Sequence, residues 1–226
     1  MSTKDIKIQQ QAMFASELMS HAVEFQITTN AGEQHVLGSG TYVDYDGPAV
    51  ITAEHVWSAA VDSTVDDELG IVSCISVCHG DDCMCVDDEA KVDMDVVEDW
   101  ALIKLTRPLE DATYASWDNE LAKVGEEVWS VGSPYGIQRI VHGTVSTYIT
   151  FSYMPFRSIA IDGYVGNGLS GGGVYNQKGE LVAIVTRFGP KVTYTSYGAF
   201  PTNDDHLLIA TPVIEVDPFM ELSFSP

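Results

Sequence analysis

Gly166-Asn-Gly-Leu-Ser-Gly-Gly-Gly173 is the stretch on which the reading of this chain turns, because it can hold a serine nucleophile, Ser170, among glycine amide groups. Alone it is only a flexible turn. Upstream, Thr52-Ala-Glu-His-Val56 closes a hydrophobic segment, and between the two lies Asp99-Trp-Ala-Leu-Ile-Lys-Leu105. His55, Asp99 and Ser170 therefore follow one another in the order His, Asp, Ser. A serine hydroxyl is a weak nucleophile unless a base takes its proton and a third group orients that base; His55 and Asp99 are of those types. Acyl transfer also builds negative charge on a carbonyl oxygen, best met by preorganised backbone N–H groups. The glycine-rich turn can aim such groups, and we assign the oxyanion hole to the amides of Gly168 and Ser170. Asp93, Asp95 and Glu98 compete with Asp99 as the acid, but only Asp99 is followed at once by the apolar strand that would bury it behind the imidazole. His21, His35, His142 and His206 lack such a setting and read as surface or packing residues, and His79 as a turn residue.

Outward from these runs the chain is dominated by period-two alternation and turn residues. Residues 4–21 carry Met13, Phe14, Leu18 and Met19 at helical spacing and predict an amphipathic N-terminal helix. Strands are predicted over 22–29, 34–43, 49–52, 71–78 and 83–92, and again over 127–131, 141–149, 158–161, 173–175, 181–187, 192–196 and 207–209. Arg107, Pro108 and mixed polar residues interrupt the pattern. The chain thus divides into the helix (1–21), a first β unit (22–106) with His55 and Asp99, a connection (107–124), and a second β unit (125–226) with Ser170, whose tail over 212–220 is expected to form a short closing helix. Strands in two groups without crossover helices predict an all-β protein of two six-stranded barrels or sandwiches.

The 226 residues, 45% of them hydrophobic, are enough for one large core or two small ones packed together. No apolar stretch is long enough to cross a bilayer as a helix, so no membrane partner is expected. The N-terminus lacks the layout of a secretory signal, which makes a cytoplasmic location the expectation. A formal net charge of -22, from 33 Asp+Glu against 11 Lys+Arg, repels a phosphate backbone and argues against nucleic-acid partners. The acidic clusters at 62–68 and 81–99 read as a solvated face or as adaptation to high salt, and both readings stay open. Cys74, Cys78, Cys83 and Cys85 fall together with His79 in one short segment. A hairpin turning at 79–82 would set Cys78 across from Cys83; reduced thiols, a disulfide and a metal site all remain open, although the spacings match no common zinc pattern. No metal or cofactor is otherwise implied.

At this point the chain resembles the trypsin/chymotrypsin-fold serine proteases, and among them most closely the protease domain of the HtrA/Deg group, without a following PDZ domain. Gly38-Ser-Gly-Thr-Tyr-Val43 followed by Ala49-Val-Ile-Thr-Ala-Glu-His-Val56 is similar to the strand pair that leads to the family's catalytic histidine. Asp99-Trp-Ala-Leu-Ile-Lys-Leu105 resembles its aspartate strand. Val128-Trp-Ser-Val-Gly-Ser-Pro-Tyr-Gly136, with His142-Gly-Thr-Val-Ser146, resembles its Gly-x-Pro-x-Gly turn and the strand after it. Gly179-Glu-Leu-Val-Ala-Ile-Val-Thr186 resembles the strand that receives substrate backbone. The resemblance implies two antiparallel six-stranded barrels with the active site between them. It also implies a serine endopeptidase acting on polypeptides through an acyl-enzyme, and a homo-oligomer. A protease-like binding or scaffolding protein is the rival, and an esterase using the same triad a third reading.

Departures from the family pattern bear on the site. Leu169 stands where trypsin-like enzymes keep the Asp that pairs with a freed N-terminus, and where HtrA-type domains have Asn, so activation by N-terminal trimming is not expected. Tyr164 stands where a basic-specific protease has its pocket-floor Asp, which favours apolar over basic substrate side chains. With Val165, and with Val185, Thr186, Arg187 and Phe188 along the cleft, it makes the expected substrate-binding set. Phe188 would narrow the pocket, and Arg187 offers an alternative preference for an acidic residue.

Overall fold

The computed structural model describes residues 3–63, 72–86, 91–150, 157–164, 166–195 and 198–216. The first helix, α1 (Thr3–Ser20), is exposed through Met13 and packs only by its last two turns. Leu18 is fully buried there, with Phe14 and Met19 against the same apolar cluster. It is followed by β1 (Ala22–Thr29), β2 (Gln34–Asp44) and β3 (Pro48–Thr52), then α2 (Glu54–Ser63), β4 (Val72–His79), β5 (Asp82–Val86), β6 (Val92–Asp95) and β7 (Trp100–Lys104). These seven strands form one sheet in the order β5-β4-β1-β2-β3-β7-β6, which curls into a half-barrel. The expected two-unit trypsin-like architecture is present, but this first unit has seven strands where six were expected, and its edges do not meet among the described residues. One reason is that 83–92, read as a single strand, yields two elements, β5 and β6. They lie at opposite edges of the sheet.

The second unit is a closed six-stranded barrel of β8 (Glu127–Gly132), β9 (Arg139–Ile149), β10 (Ser158–Gly163), β11 (Gly173–Tyr175), β12 (Leu181–Thr195) and β13 (Gly198–Pro212). The segments 181–187 and 192–196, read separately, join in β12, whose pairing with β13 shifts register between Val185 and Arg187 and again between Pro190 and Val192. The closing helix is a single 3-10 turn, Val213–Glu215, as far as Val216; the remainder of 212–220 lies outside the described residues.

Three apolar clusters hold this frame. One fills the half-barrel with Phe25, Ile27, Tyr42, Val50 and Ile103, and one fills the closed barrel. The third joins the units, with Ile51, Trp100 and Leu102 of the first meeting Tyr175, Leu181 and Ile184 of the second. Burial of so much apolar surface between the units fixes their mutual orientation, and the 166–173 loop meets β2 and the end of β3 along that seam.

Candidate active site

His55 sits in the first turn of α2, a helix the sequence reading does not assign. Val56, Trp57 and Ala60 bury one of its faces in the half-barrel core, leaving the His55 side chain 47% exposed. Asp99, at 7% exposure, ends the tight turn between β6 and β7. Asp95 shapes that turn, its Oδ1 accepting the N–H groups of Val97 and Glu98 at 2.7 and 2.8 Å. The turn puts Asp99 at φ +61°, an uncommon conformation for a residue with a side chain and one that collects at functional sites. The carboxylate then meets His55 twice, accepting its backbone N–H at 3.1 Å and lying 2.9 and 3.1 Å from Nδ1. A carboxylate can only accept, so Nδ1 donates and Nε2 carries the free lone pair. Of the competing acids, Asp95 is the turn former, and Glu98 accepts the Trp100 indole N–H at 3.1 Å. Arg187 Nη2 lies 3.5 Å from Asp99 Oδ2, bringing a cation to the acid.

The 166–173 loop crosses the seam to β2 and to the end of β3, just ahead of His55. Ser39 on β2 donates its N–H to the Ser170 carbonyl at 2.8 Å. A Cβ on Gly38 would lie 2.8 Å or less from both methyls of Val56 and 3.1 Å from the Ser170 carbonyl, so this glycine lets the loop and α2 close on β2. Gly171, at φ +82°, lets the next peptide approach likewise: a Cβ there would stand 2.0 Å from the Ser39 carbonyl oxygen. Leu169 is 1% exposed, its side chain within the apolar cluster of the closed barrel.

Buried backbone donors nearly always find acceptors, and three amides of this loop do. Leu169 N–H donates to Gly166 O, Gly171 N–H to Val185 O at 2.7 Å, and Gly172 N–H to Leu169 O at 2.9 Å. The N–H groups of Gly168 and Ser170 have no acceptor among the described residues. The Ser170 hydroxyl also has no partner there, and no hydrogen bond between it and His55 is formed in this structure.

The expected substrate-binding residues are placed unevenly. Tyr164 is 46% exposed with its ring against Gly166, at the entrance to the loop. Val185 gives both backbone groups to the loop, its N–H reaching Gly172 O at 2.9 Å. Thr186 is buried, lies at the β12 register shift and donates to Ile209 O at 3.3 Å. Beyond Ile184, β12 has outrun β11, which pairs with it only from Leu181 to Ile184. Val165 and the Phe188 side chain lie outside the described residues. The cysteines pair as disulfides, Cys78 with Cys83 directly across the β4–β5 hairpin and Cys74 with Cys85 on the diagonal. Among the described residues no group of three or more His, Cys, Asp or Glu could hold a metal, and no helix is long and apolar enough to cross a membrane.

A β half-barrel packed on a closed barrel, with a His–Asp pair on the first and a glycine-rich serine loop on the second, defines a class, and comparison with known proteins assigns it: the chain belongs to the trypsin-like peptidase family, whose domain model matches residues 38–184. A probable periplasmic DegP-like serine endoprotease of Buchnera aphidicola subsp. Baizongia pistaciae is 27% identical over 162 residues, covering 70% of this chain and 32% of the relative. The periplasmic serine endoprotease DegP of Escherichia coli K12 is 27% identical over 154 residues, 66% of this chain and 30% of the relative. The chain thus spans about a third of the length of these curated relatives. Among solved structures, the HtrA-type protease AlgW with a decapeptide superposes with a TM-score of 0.64 at 16% identity, over 94% of this chain and 66% of that one. The serine endoprotease from Yersinia pestis gives 0.62 at 20% identity, over 95% and 65%. The HtrA/Deg resemblance is borne out by relatives of that type, and the solved structures share the fold.

Proposed function

We propose that the chain is a serine endopeptidase in which His55 takes the proton of Ser170, Asp99 holds the imidazole tautomer and stabilises its cation, and the amides of Gly168 and Ser170 bind the tetrahedral oxyanion. The observation that carries this reading is the loop accounting: the two amides left without acceptors flank Leu169, and one belongs to the nucleophile itself. Attack by Ser170 Oγ on a peptide carbonyl gives an acyl-enzyme and releases the amine, which takes its proton from His55. Water, deprotonated by His55, then releases the acid. Substrate is expected to lie extended along the β12 edge beyond Val185, reading backbone first and side chains second.

Hydrolysis of fluorescent casein by the purified chain tests the proposal. Ser170→Ala should abolish it, and Asp99→Asn should lower turnover about 10⁴-fold, the loss expected when the imidazole tautomer is wrong; a loss below about tenfold would remove Asp99 from the mechanism. The unpartnered Ser170 hydroxyl favours, as a second reading, a protein whose machinery rests or only binds. Reaction with a serine-directed fluorophosphonate but no casein cleavage would select it. The two disulfides favour an oxidising compartment over the cytoplasmic location expected from the N-terminus.

A further inference from the structure

Ser39 lies outside the triad, yet all four of its hydrogen-bonding groups are engaged, three of them with the nucleophile loop or the strand that leads to His55. It is completely buried on β2. Its N–H holds the Ser170 carbonyl, and its own carbonyl accepts the Thr52 hydroxyl at 2.6 Å, three residues ahead of His55. The Ser39 hydroxyl donates to the carbonyl of Gly168 at 2.6 Å and accepts the N–H of Ser133, just past β8, at 2.8 Å. Side chain and backbone of one residue thus tie Gly168 and Ser170 to the half-barrel, and the side chain also holds the turn that follows β8.

We propose that the Ser39 hydroxyl is a positioning residue for the oxyanion hole, an inference that rests on the reading of Ser170 and Gly168 above. Two peptide planes meet at Gly168 Cα, at φ +96°: the Asn167–Gly168 plane carries the N–H assigned to the hole, and the Gly168–Leu169 plane carries the carbonyl that Ser39 holds. The bond from Ser39 pins the second plane in the interior and with it the backbone angle at Gly168, from which the first plane is directed; the Gly168 N–H has no acceptor among the described residues. Without the hydroxyl, Gly168 C=O and Ser133 N–H both lose a buried partner, and the loop relieves that cost by turning the Gly168 carbonyl toward water. Because the two planes share Gly168 Cα, that turn carries the N–H out of donor geometry while the ground-state substrate contacts along β12 remain. Ser39 touches no substrate; it acts through Gly168.

The test is Ser39→Ala in the full chain, measured on a chromogenic peptide, with a peptide boronate as transition-state mimic and a non-cleavable peptide as ground-state ligand. Expected is a fall in kcat of about 10- to 100-fold, short of losing a hole donor outright, with KM within about threefold. Boronate affinity should fall in parallel with kcat, and the non-cleavable peptide should bind within about threefold of its original strength. Ser39→Cys keeps volume with a weaker donor and should fall between the two, which covers the case in which Ser39→Ala fails to fold. The inference is overturned if Ser39→Ala retains kcat and boronate affinity within about twofold, or if both peptides weaken together, the mark of a purely structural role. If the unsubstituted chain neither reacts with a fluorophosphonate nor cleaves peptides, the reading of the site fails and takes the inference with it. If that chain turns over and Ser39→Ala matches it, only the inference fails.

Discussion

Leu169→Ala probes how the nucleophile loop keeps its shape without the charged residue that stands before the serine in trypsin-like enzymes. Leu169 is 1% exposed and clusters with Val128, Val145, Ile161 and Val174, so its removal opens a cavity in the closed barrel. A β8 glycine makes room for it: a Cβ on Gly132 would lie 3.2 Å from Leu169 Cδ2. Truncating a buried leucine costs about 2–5 kcal/mol, and with about 3 kcal/mol and about 2–4 °C per kcal/mol for a protein of this size, Tm should fall by roughly 6–12 °C. Gly168 and Ser170 flank this anchor, so a loop loosened by even an ångström should also lose catalysis, on the order of 10²-fold in kcat/KM. Leu169→Met, which conserves volume, should cost under about 1.5 kcal/mol and keep most activity. Calorimetry gives the first quantity, and peptide hydrolysis at 25 °C, well below either transition, gives the second. A Leu169→Ala protein melting within 2 °C of the original (well inside the ~6 °C floor) would refute the packing argument. A clear fall in Tm with kcat/KM unchanged would refute the claim that core packing sets the loop.

Two further perturbations test other parts of the structure. Gly171→Ala puts a Cβ 2.0 Å from the Ser39 carbonyl oxygen and 2.1 Å from Thr52 Oγ1 at φ +82°, so it should disrupt the contact between loop and half-barrel and abolish activity; an active Gly171→Ala enzyme would contradict the observed close approach. Asp82 is held from 3.8 down to about 2, chiefly by hydrogen bonds from the Arg107 guanidinium at 2.6 and 2.8 Å, with the Glu110 N–H adding to them. A pKa lower in the folded state contributes stability that is complete above the unfolded value and is lost as pH falls through about 2. The Tm difference between the original chain and Arg107→Met should therefore shrink as pH is lowered through that window; a difference independent of pH would contradict it.

Much of this arrangement is local in sequence and was legible there. Alternation alone places β1 at its observed bounds, and the turn at 79–82 sets Cys78 opposite Cys83, because side-chain period and hairpin register are short-range properties. The helix α2 escaped because its apolar positions, Val56, Trp57 and Ala60, are few and directly follow a strand of the same hydrophobic character. Whether a sheet closes depends on pairing between distant strands, so the half-barrel was not readable from spacing. The same holds at the site. His55, Asp99 and Ser170 announce themselves through the runs around them, whereas Ser39 becomes informative only when Thr52, Ser133, Gly168 and Ser170 arrive from separate elements to surround it. Arg187 read as a cleft residue available to substrate, and its contact with Asp99 arises only when β12 is brought against the β6–β7 turn.

The central claim is that Ser170 is an activated nucleophile, and intact-mass analysis after reaction with a biotinylated fluorophosphonate tests it most directly. The account predicts a single phosphonyl adduct on the purified chain, mapped by peptide sequencing to Ser170, formed far more slowly by Asp99→Asn and absent from Ser170→Ala. No adduct on the unsubstituted chain, or an adduct that persists in Ser170→Ala, would contradict it.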